Sequence, residues 1–133
     1  MSAFIWQVRV YYEDTDSGGV VYHSNYLNFM ERARTEWLRH LGFEQTYLSD
    51  VLKVMFVVHS AQIAFKKPAK FNDLLIIDSA LGKIGRGSLE FLQKIYVNQQ
   101  LLIEAVIKVA CVDADTFKSS AIPTAIKVKM EHI

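Results

Sequence analysis

The chain has 133 residues, of which 51% are hydrophobic, and 15 Lys and Arg residues against 14 Asp and Glu residues give a net charge of +1. A chain of this length and composition buries enough apolar surface to fold as one domain, which we predict over residues 1–133, and intrinsic disorder is excluded. The balanced charge lacks the basic surface that nucleic-acid binding requires, so no nucleic-acid partner is expected.

The first predicted element is a strand from Phe4 to Tyr12, in which apolar residues alternate with Gln7 and Arg9. Tyr12 falls on the apolar face of this pattern, which predicts a place in the core. An acidic segment with two glycines follows, from Glu13 to Gly19, and its residues are typical of tight turns. The strand is therefore expected to lead into a compact turn rather than a linker.

A long amphipathic helix is predicted after the turn, because apolar residues recur at steps of three and four. Either Ser24 or Asn25 can cap its start, and Gly42 can end it. A weaker pattern from Gln45 to Leu52 indicates a short helical turn. The predicted apolar face of the long helix consists of Tyr26, Phe29, Met30, Ala33, Trp37 and Leu41.

The rest of the chain is predicted as strands separated by turn residues. The ranges are Val54 to Phe65, Leu74 to Ile84, Ser88 to Val97, Leu101 to Val112 and, on a weaker pattern, Ala125 to Met130. Short turns join the last three long strands, which favours a meander. One long helix packed on an antiparallel sheet of five to six strands is an α+β fold. Because a single helix leaves apolar sheet surface uncovered, we expect a homo-oligomer, either a homodimer or a homotetramer.

The cysteine content and the apolar runs bear on location and cofactors. The single cysteine, Cys111, cannot form a disulfide within the chain, and no Cys and His residues have metal-site spacing, so no cofactor is expected. Apolar runs such as Val54 to Val58 are far shorter than the roughly 20 residues that cross a bilayer, and the first residues lack a signal-peptide pattern. These features predict a cytoplasmic protein without a transmembrane segment.

The densest polar segment is the turn before the long helix, which brings three carboxylates, His23 and Asn25 to the helix N-terminus. Free N–H groups at a helix N-terminus suit an anion or a polarised carbonyl oxygen. A carboxylate beside such a carbonyl can act as a general base or as a nucleophile. On residue type alone, Asp14 and Asp16 are equally well explained as residues that tighten the turn.

The segment from Val8 to Leu41, VRVYYEDTDSGGVVYHSNYLNFMERARTEWLRHL, resembles the signature of the hotdog-fold acyl-CoA thioesterases of the 4-hydroxybenzoyl-CoA thioesterase family. It is most similar to the bacterial branch found with the Tol-Pal cell-envelope system. The resemblance continues through Phe56-Val57-Val58, Pro68-Ala69, Gly87-Ser88-Leu89 and Val112-Asp113 to Pro123. It implies a hotdog fold, hydrolysis of a thioester to a free acid and coenzyme A, and active sites at a subunit interface.

The resemblance also implies roles for individual residues. It assigns the catalytic carboxylate to Asp16 and the accompanying site residues to Tyr12, His23 and Asn25, and in relatives the backbone N–H at the position of His23 polarises the thioester carbonyl. Residue type leaves open whether Asp16 attacks the acyl carbon or activates water, and we favour water. The ring of His23 can instead hydrogen-bond the loop, and Asn25 can instead cap the helix.

Basic residues near the site are expected to contact the phosphates of coenzyme A. We predict Lys66, in the loop before Pro68, and Arg86, in a glycine-flanked turn, as substrate-binding residues together with Ser88. Acyl carrier protein is an alternative carrier of the acyl group. The alternative function is a non-catalytic hotdog module that binds acyl carriers or envelope-lipid enzymes, whereas the Asp16 loop does not resemble that of a hotdog dehydratase.

Overall fold

The computed structural model describes residues 4–132, so residues 1–3 and 133 of the predicted domain lie outside the described residues. The strands are β1 (Phe4–Arg9), β2 (Val54–Phe65), β3 (Leu74–Ile84), β4 (Ser88–Val97) and β5 (Gln100–Asp113), and the helices are α1 (His23–His40), α2 (Gln45–Asp50) and α3 (Thr124–Glu131). All strand pairs are antiparallel, in the order β1-β3-β4-β5-β2. The predicted α+β class and the meander of β3, β4 and β5 are confirmed.

β1 is shorter than predicted and ends at Arg9 instead of Tyr12. Its partner β3 begins at Leu74, opposite Arg9, so the neighbouring strand does not continue past that point. The chain turns instead through a short 3-10 helix at Tyr12–Asp14, and Tyr12 is 75% exposed. The prediction that Tyr12 lies on the apolar face of a strand is therefore wrong.

α1 begins two to three residues earlier than predicted. Its N-cap is Tyr22, which has an extended backbone and makes no side-chain capping bond. Ser24 and Asn25 lie in the first turn of the helix and do not cap it. The structure therefore corrects the capping prediction, and Asn25 is left free for a different hydrogen bond described below.

The C-terminal end of α1 is formed as predicted, by Gly42. This residue has a φ of +99°, its N–H donates to the Arg39 carbonyl at 2.9 Å, and the N–H of Phe43 donates to the Leu38 carbonyl at 2.8 Å. These two bonds form a Schellman motif, which glycine permits because it adopts positive φ without strain. No helix within residues 4–132 is both long and apolar enough to cross a membrane.

The predicted last strand, from Ala125 to Met130, is the helix α3. Ile126 and Met130 are four residues apart and both are buried, whereas Val128 between them is 48% exposed. Residues four apart share one face in a helix and in a strand alike, so this short pattern was ambiguous. The carbonyl of Pro123 accepts hydrogen bonds from the N–H groups of Ile126 and Lys127, and these bonds stabilise the first turn of the helix.

A buried polar network lies beneath the middle of α1. Gln93 on β4 is fully buried, and its Nε2 donates to the Met30 carbonyl at 3.1 Å and to the Ser79 hydroxyl at 3.0 Å. Its Oε1 accepts a hydrogen bond of 2.9 Å from Nη1 of Arg34. One amide side chain therefore joins α1 to both β3 and β4, and its polar atoms are satisfied.

β2 lies at one edge of the sheet and pairs with β5, with a shift in register between Val58 and Ser60. Val58 and Phe65 are apolar residues of this strand that remain 55% and 48% exposed. An exposed apolar edge is the kind of surface that a second copy of a chain can cover. The homo-oligomer stays a prediction.

Candidate active site

A cleft of about 310 Å³ opens at the N-terminal end of α1. Its walls come from the loop before α1, the first turn of α1, the last residue of β2 and the loop that follows β2. It brings together Asp16, His23 and Lys66, three of the predicted site residues. The full lining consists of Asp16, Val20, Val21, Tyr22, His23, Tyr26, Phe65, Lys66, Lys67 and Pro68.

The loop that carries Asp16 is a compact, hydrogen-bonded turn. The N–H of Gly18 donates to Oδ1 of Asp16 at 2.8 Å, and the N–H of Gly19 donates to the Asp16 carbonyl at 3.0 Å. Gly19 has a φ of +80°, a conformation that favours glycine. Asp16 is exposed, and its Oδ2 has no hydrogen-bond partner within residues 4–132. One carboxylate oxygen is therefore fixed by the turn and the other is available to a ligand.

The carbonyl of Asp14 attaches this loop to α1. It accepts hydrogen bonds from the N–H of Tyr22 at 3.1 Å and from Nδ2 of Asn25 at 2.8 Å. The side chain of Asp14 is engaged elsewhere, because its Oδ2 accepts from the N–H of Tyr11 at 2.9 Å. Asn25 is therefore a link between the loop and the helix, and the carboxylate of Asp14 stabilises the preceding turn.

His23 is the first residue of α1, and its backbone N–H has no acceptor within the helix. No other acceptor is assigned to it in the described part of the chain. The N-terminus of a helix carries a partial positive charge, so this N–H suits a carbonyl oxygen that is gaining negative charge. The imidazole packs edge-on against Phe65, with ring centroids 5.0 Å apart and an interplanar angle of 69°.

Tyr26 forms a buried part of the cleft wall. Its side chain is 2% exposed, and its phenol oxygen accepts a hydrogen bond of 2.9 Å from the N–H of Ala69. Burial raises the pKa of the Tyr26 phenol, and the carboxylate of Asp73 acts in the same direction. The phenol is therefore neutral at pH 7 and serves as an acceptor that positions the loop after β2.

Four predicted site residues do not line the cleft of a single chain, namely Asn25, which has the linking contact described above, Tyr12, Arg86 and Ser88. Tyr12 stacks on Phe71, with ring centroids 3.8 Å apart. Arg86 and Ser88 lie at the β3–β4 turn, and this turn is roughly 30 Å along β3 from its first residue, Leu74, at about 3.3 Å per residue. The roles of these four residues in catalysis or substrate binding stay predictions.

Several cleft residues were not among the predicted site residues, and Phe65 and Lys67 are two of them. Phe65 is the last residue of β2, and it reaches His23 only because the strand pairing places the end of β2 beside the start of α1. No local pattern signals this contact. Lys67 was detectable, because it directly follows the predicted Lys66 in the same loop.

Comparisons with known proteins support a common family. A sequence profile described as the thioesterase-like superfamily matches residues 10–130. The chain is 42% identical over 132 residues to the acyl-CoA thioesterase YbgC of Haemophilus influenzae, covering 99% of this chain and 97% of that protein. It is 47% identical over 131 residues to the acyl-CoA thioester hydrolase YbgC of Escherichia coli, covering 97% of this chain and 96% of that protein.

A solved structure extends the similarity to three dimensions. The crystal structure of a probable thioesterase from Bartonella henselae matches with a TM-score of 0.87 and 35% sequence identity. The match covers 91% of this chain and 100% of that chain. The similarity therefore includes the sheet, α1 and the greater part of the chain, not a single motif.

Proposed function

We propose that this chain hydrolyses acyl-CoA to a free acid and coenzyme A. The chain belongs to the thioesterase-like superfamily, has the hotdog fold and is a thioester hydrolase. The observation that carries the proposed mechanism is that the carboxylate of Asp16 and the free N–H of His23 line the same cleft. The curated relatives with this activity align over almost the whole chain, which supports the proposed substrate class.

Thioester hydrolysis requires a base or nucleophile and a group that stabilises negative charge on the carbonyl oxygen. In our proposal the N–H of His23 donates a hydrogen bond to that oxygen, at the positive end of α1. Oδ2 of Asp16 accepts a proton from a water molecule as the water oxygen bonds to the acyl carbon. Oδ1 stays bound to the N–H of Gly18, which keeps the carboxylate in place.

The tetrahedral intermediate then collapses, the carbon–sulfur bond breaks, and coenzyme A leaves as a thiolate. A free thiol has a pKa of about 8.5, so the thiolate is a good leaving group and a strong general acid is unnecessary. The proton held by Asp16 passes to the thiolate or to solvent, which restores the carboxylate. We assign the main role at His23 to its backbone, because the ring packs on Phe65.

The remaining site residues have binding or positioning roles in this proposal. Asn25 is a positioning residue that acts through the Asp14 carbonyl. Lys66 lies at the cleft and attracts the phosphates of coenzyme A. Arg86 and Ser88 act on a substrate only where a second copy of the chain brings them to the cleft, and Tyr12 keeps an accessory role. Acyl carrier protein as carrier and the Tol-Pal association stay predictions.

The test is thiol release from a panel of short-chain, long-chain and aromatic acyl-CoAs. Asp16→Asn should lower kcat by at least about a hundredfold, the scale of losing a proton-transfer group, with an unchanged circular dichroism spectrum and oligomeric state. Asp14→Asn is the matched control, because that carboxylate belongs to the same loop but binds the N–H of Tyr11. It should keep activity within a few-fold of the original chain.

Two results would contradict the proposal. A normal rate for Asp16→Asn in the intact oligomer would remove the role of this carboxylate. Tight binding of acyl-CoA by the unaltered chain, without release of thiol from any member of the panel, would favour the non-catalytic binding module instead.

A further inference from the structure

The face of the sheet opposite α1, which we call the outer face, carries an apolar row across its middle. Gln93 hydrogen-bonds to α1, so its neighbours Leu92 and Lys94 project from the opposite side of β4. Leu92 lies opposite Val106 on β5 and opposite Ala80 on β3. Leu92 is 38% exposed and Val106 is half-buried, so this apolar row contacts solvent in a single chain.

A pair of opposite charges lies on each side of the apolar row. On one side Lys94 of β4 lies opposite Glu104 of β5, and Nζ is 3.7 Å from Oε2. On the other side Glu90 of β4 lies opposite Lys108 of β5. Each charged residue is two positions from the apolar row along its strand, which is about 7 Å. The sign of the charge therefore reverses across the row on both strands.

These charges are weakly engaged within one chain. Glu90 and Lys108 form no salt bridge within residues 4–132, although the strand register places them opposite each other. Oε1 of Glu90 accepts only a long bond of 3.4 Å from the N–H of Lys83, and Lys108 is exposed. The pair of Lys94 and Glu104 is also exposed, and exposed pairs contribute little to stability. All four charges are therefore available to a partner.

A two-fold rotation about the apolar row places each of these charges against an opposite charge. The axis lies between two outer faces and runs at right angles to the strands, so each strand faces the same strand of the second copy. Lys94 then faces Glu90 of the second copy, and Glu104 faces Lys108 of the second copy. Leu92 meets its own counterpart on the axis. Packed sheets lie about 10 Å apart with strands within about 30°, which keeps such side chains in reach.

A rotation about an axis parallel to the strands would also bring opposite charges together, but it differs in symmetry. It would place the β2 edges of the two copies on opposite sides of the stack, whereas rotation about the apolar row leaves both edges on the same side. Combined with the predicted contact at the β2 edge, the apolar-row axis gives a closed assembly of four chains. The parallel axis gives an open stack, and soluble homo-oligomers are mostly closed.

We propose that the outer face binds the outer face of a second copy of this chain, about a two-fold axis along Ala80, Leu92 and Val106. A shallow depression of about 520 Å³ on this face is lined in part by Leu92, Val106 and Gln62, and the second copy fills it. The contact joins an apolar centre to two sets of complementary charges. This inference concerns assembly and does not depend on the reaction proposed at Asp16.

The test measures mass by sedimentation equilibrium for the unaltered chain and two charge-reversed variants. The first variant carries Lys94→Glu and Glu104→Lys, and the second carries Glu90→Lys and Lys108→Glu. Each variant keeps the net charge and keeps opposite charges side by side within its own chain. Between two copies of the same variant, however, like charges meet and repel. Each variant alone should therefore have half the mass of the unaltered chain at the same concentration.

An equimolar mixture of the two variants should recover the mass of the unaltered chain. The reversed charges of one variant face the reversed charges of the other, so every contact between the two copies is again between opposite charges. Circular dichroism of each variant should match the unaltered chain, because all four positions lie on the surface of one copy. An axis parallel to the strands predicts instead that each variant alone keeps the full mass, since its charges stay complementary.

A substitution in the apolar row provides an independent check. Leu92→Arg should also halve the mass, because two like charges would meet on the axis. Val128→Arg is the control, since Val128 on α3 is similarly exposed, at 48%, but does not lie on the outer face. Equal mass for the unaltered chain and both charge-reversed variants would overturn the proposal. A mixture no heavier than either variant, or a normal mass for Leu92→Arg, would also overturn it.

Discussion

Nδ2 of Asn25 donates a hydrogen bond of 2.8 Å to the main-chain carbonyl of Asp14, eleven residues earlier in the chain. The same carbonyl accepts from the N–H of Tyr22 at 3.1 Å. Two donors from the start of α1 therefore hold the loop two residues before Asp16. The position of the candidate catalytic carboxylate depends on the helix as much as on the loop that contains it.

Removing the side-chain amide of Asn25 should loosen this loop. We expect Asn25→Leu to lower kcat about tenfold with little change in KM, because small misplacements of a reacting group slow catalysis strongly. The pH profile should keep its shape, because the titrating group is unchanged. Asn28→Ala is the control, since that amide makes only a long 3.4 Å contact with Asn25. A normal kcat for Asn25→Leu would show that the Tyr22 bond suffices.

Lys66 should contribute to substrate binding and not to chemistry. Lys66→Ala should raise KM for acyl-CoA several-fold and leave kcat unchanged, because an exposed cation acts mainly by attracting phosphate. The difference from the unaltered chain should shrink as salt is added, since salt screens exposed charges. Lys129→Ala, on the exposed surface of α3, serves as the control for net charge. A drop in kcat alone would contradict this role.

The hydrogen bond between Tyr26 and Ala69 should be visible in stability measurements. Tyr26→Phe leaves the N–H of the fully buried Ala69 without its acceptor, which should cost about 1–3 kcal/mol of unfolding free energy. Tyr22→Phe is matched in chemistry but is 56% exposed, and it should change stability by less than about 0.5 kcal/mol. Urea unfolding of the three proteins measures both values, and equal stabilities would refute the assigned bond.

Asp113 should make stability sensitive to acid. Its carboxylate accepts from the N–H groups of Thr116 and Asp115, at 2.9 Å each, and these bonds lower the pKa of Asp113 below its usual value of 3.8. A pKa lowered by folding stabilises the native state above the unfolded value, and that contribution disappears as pH falls through the folded value.

Asp113→Asn keeps a neutral acceptor that does not titrate in this range. The unaltered chain should therefore be more stable than this variant at pH 6, and the difference should vanish as pH falls below 3.8 towards the lower folded value. Thermal unfolding at a series of pH values measures the difference. A gap between the two proteins that persists unchanged into acid would contradict the assignment.

Much of the sheet could be predicted from the sequence because its strands are bounded by turn residues. β2, β3 and β4 begin and end at the predicted residues, and β5 extends one residue further at each end than predicted. At these strands the local alternation and the turns agree. β1 was predicted too long because its end depends on where its partner β3 begins, and strand pairing cannot be deduced from the local pattern of β1. α3 was predicted as a strand because its short apolar pattern fits either element.

The candidate site was predictable where it is local in sequence. Asp16 and His23 flank one short loop, and both line the cleft at the N-terminal end of α1. Arg86 follows the last residue of β3 and does not line this cleft in a single chain. Reasoning on one chain therefore cannot place Arg86 beside Asp16 and His23.

Gln93 has a further consequence for the geometry at the start of α1. Its amide forms hydrogen bonds with Met30 and Arg34 on the helix and with Ser79 on the neighbouring strand. A shift of α1 along the sheet by one helical turn, about 5.4 Å, would break all of these bonds. The network therefore holds α1 at one position along the sheet. His23 belongs to the same helix, seven residues before Met30. The hydrogen bonds of Gln93 near the middle of α1 therefore also fix the position of the His23 N–H along the helix axis.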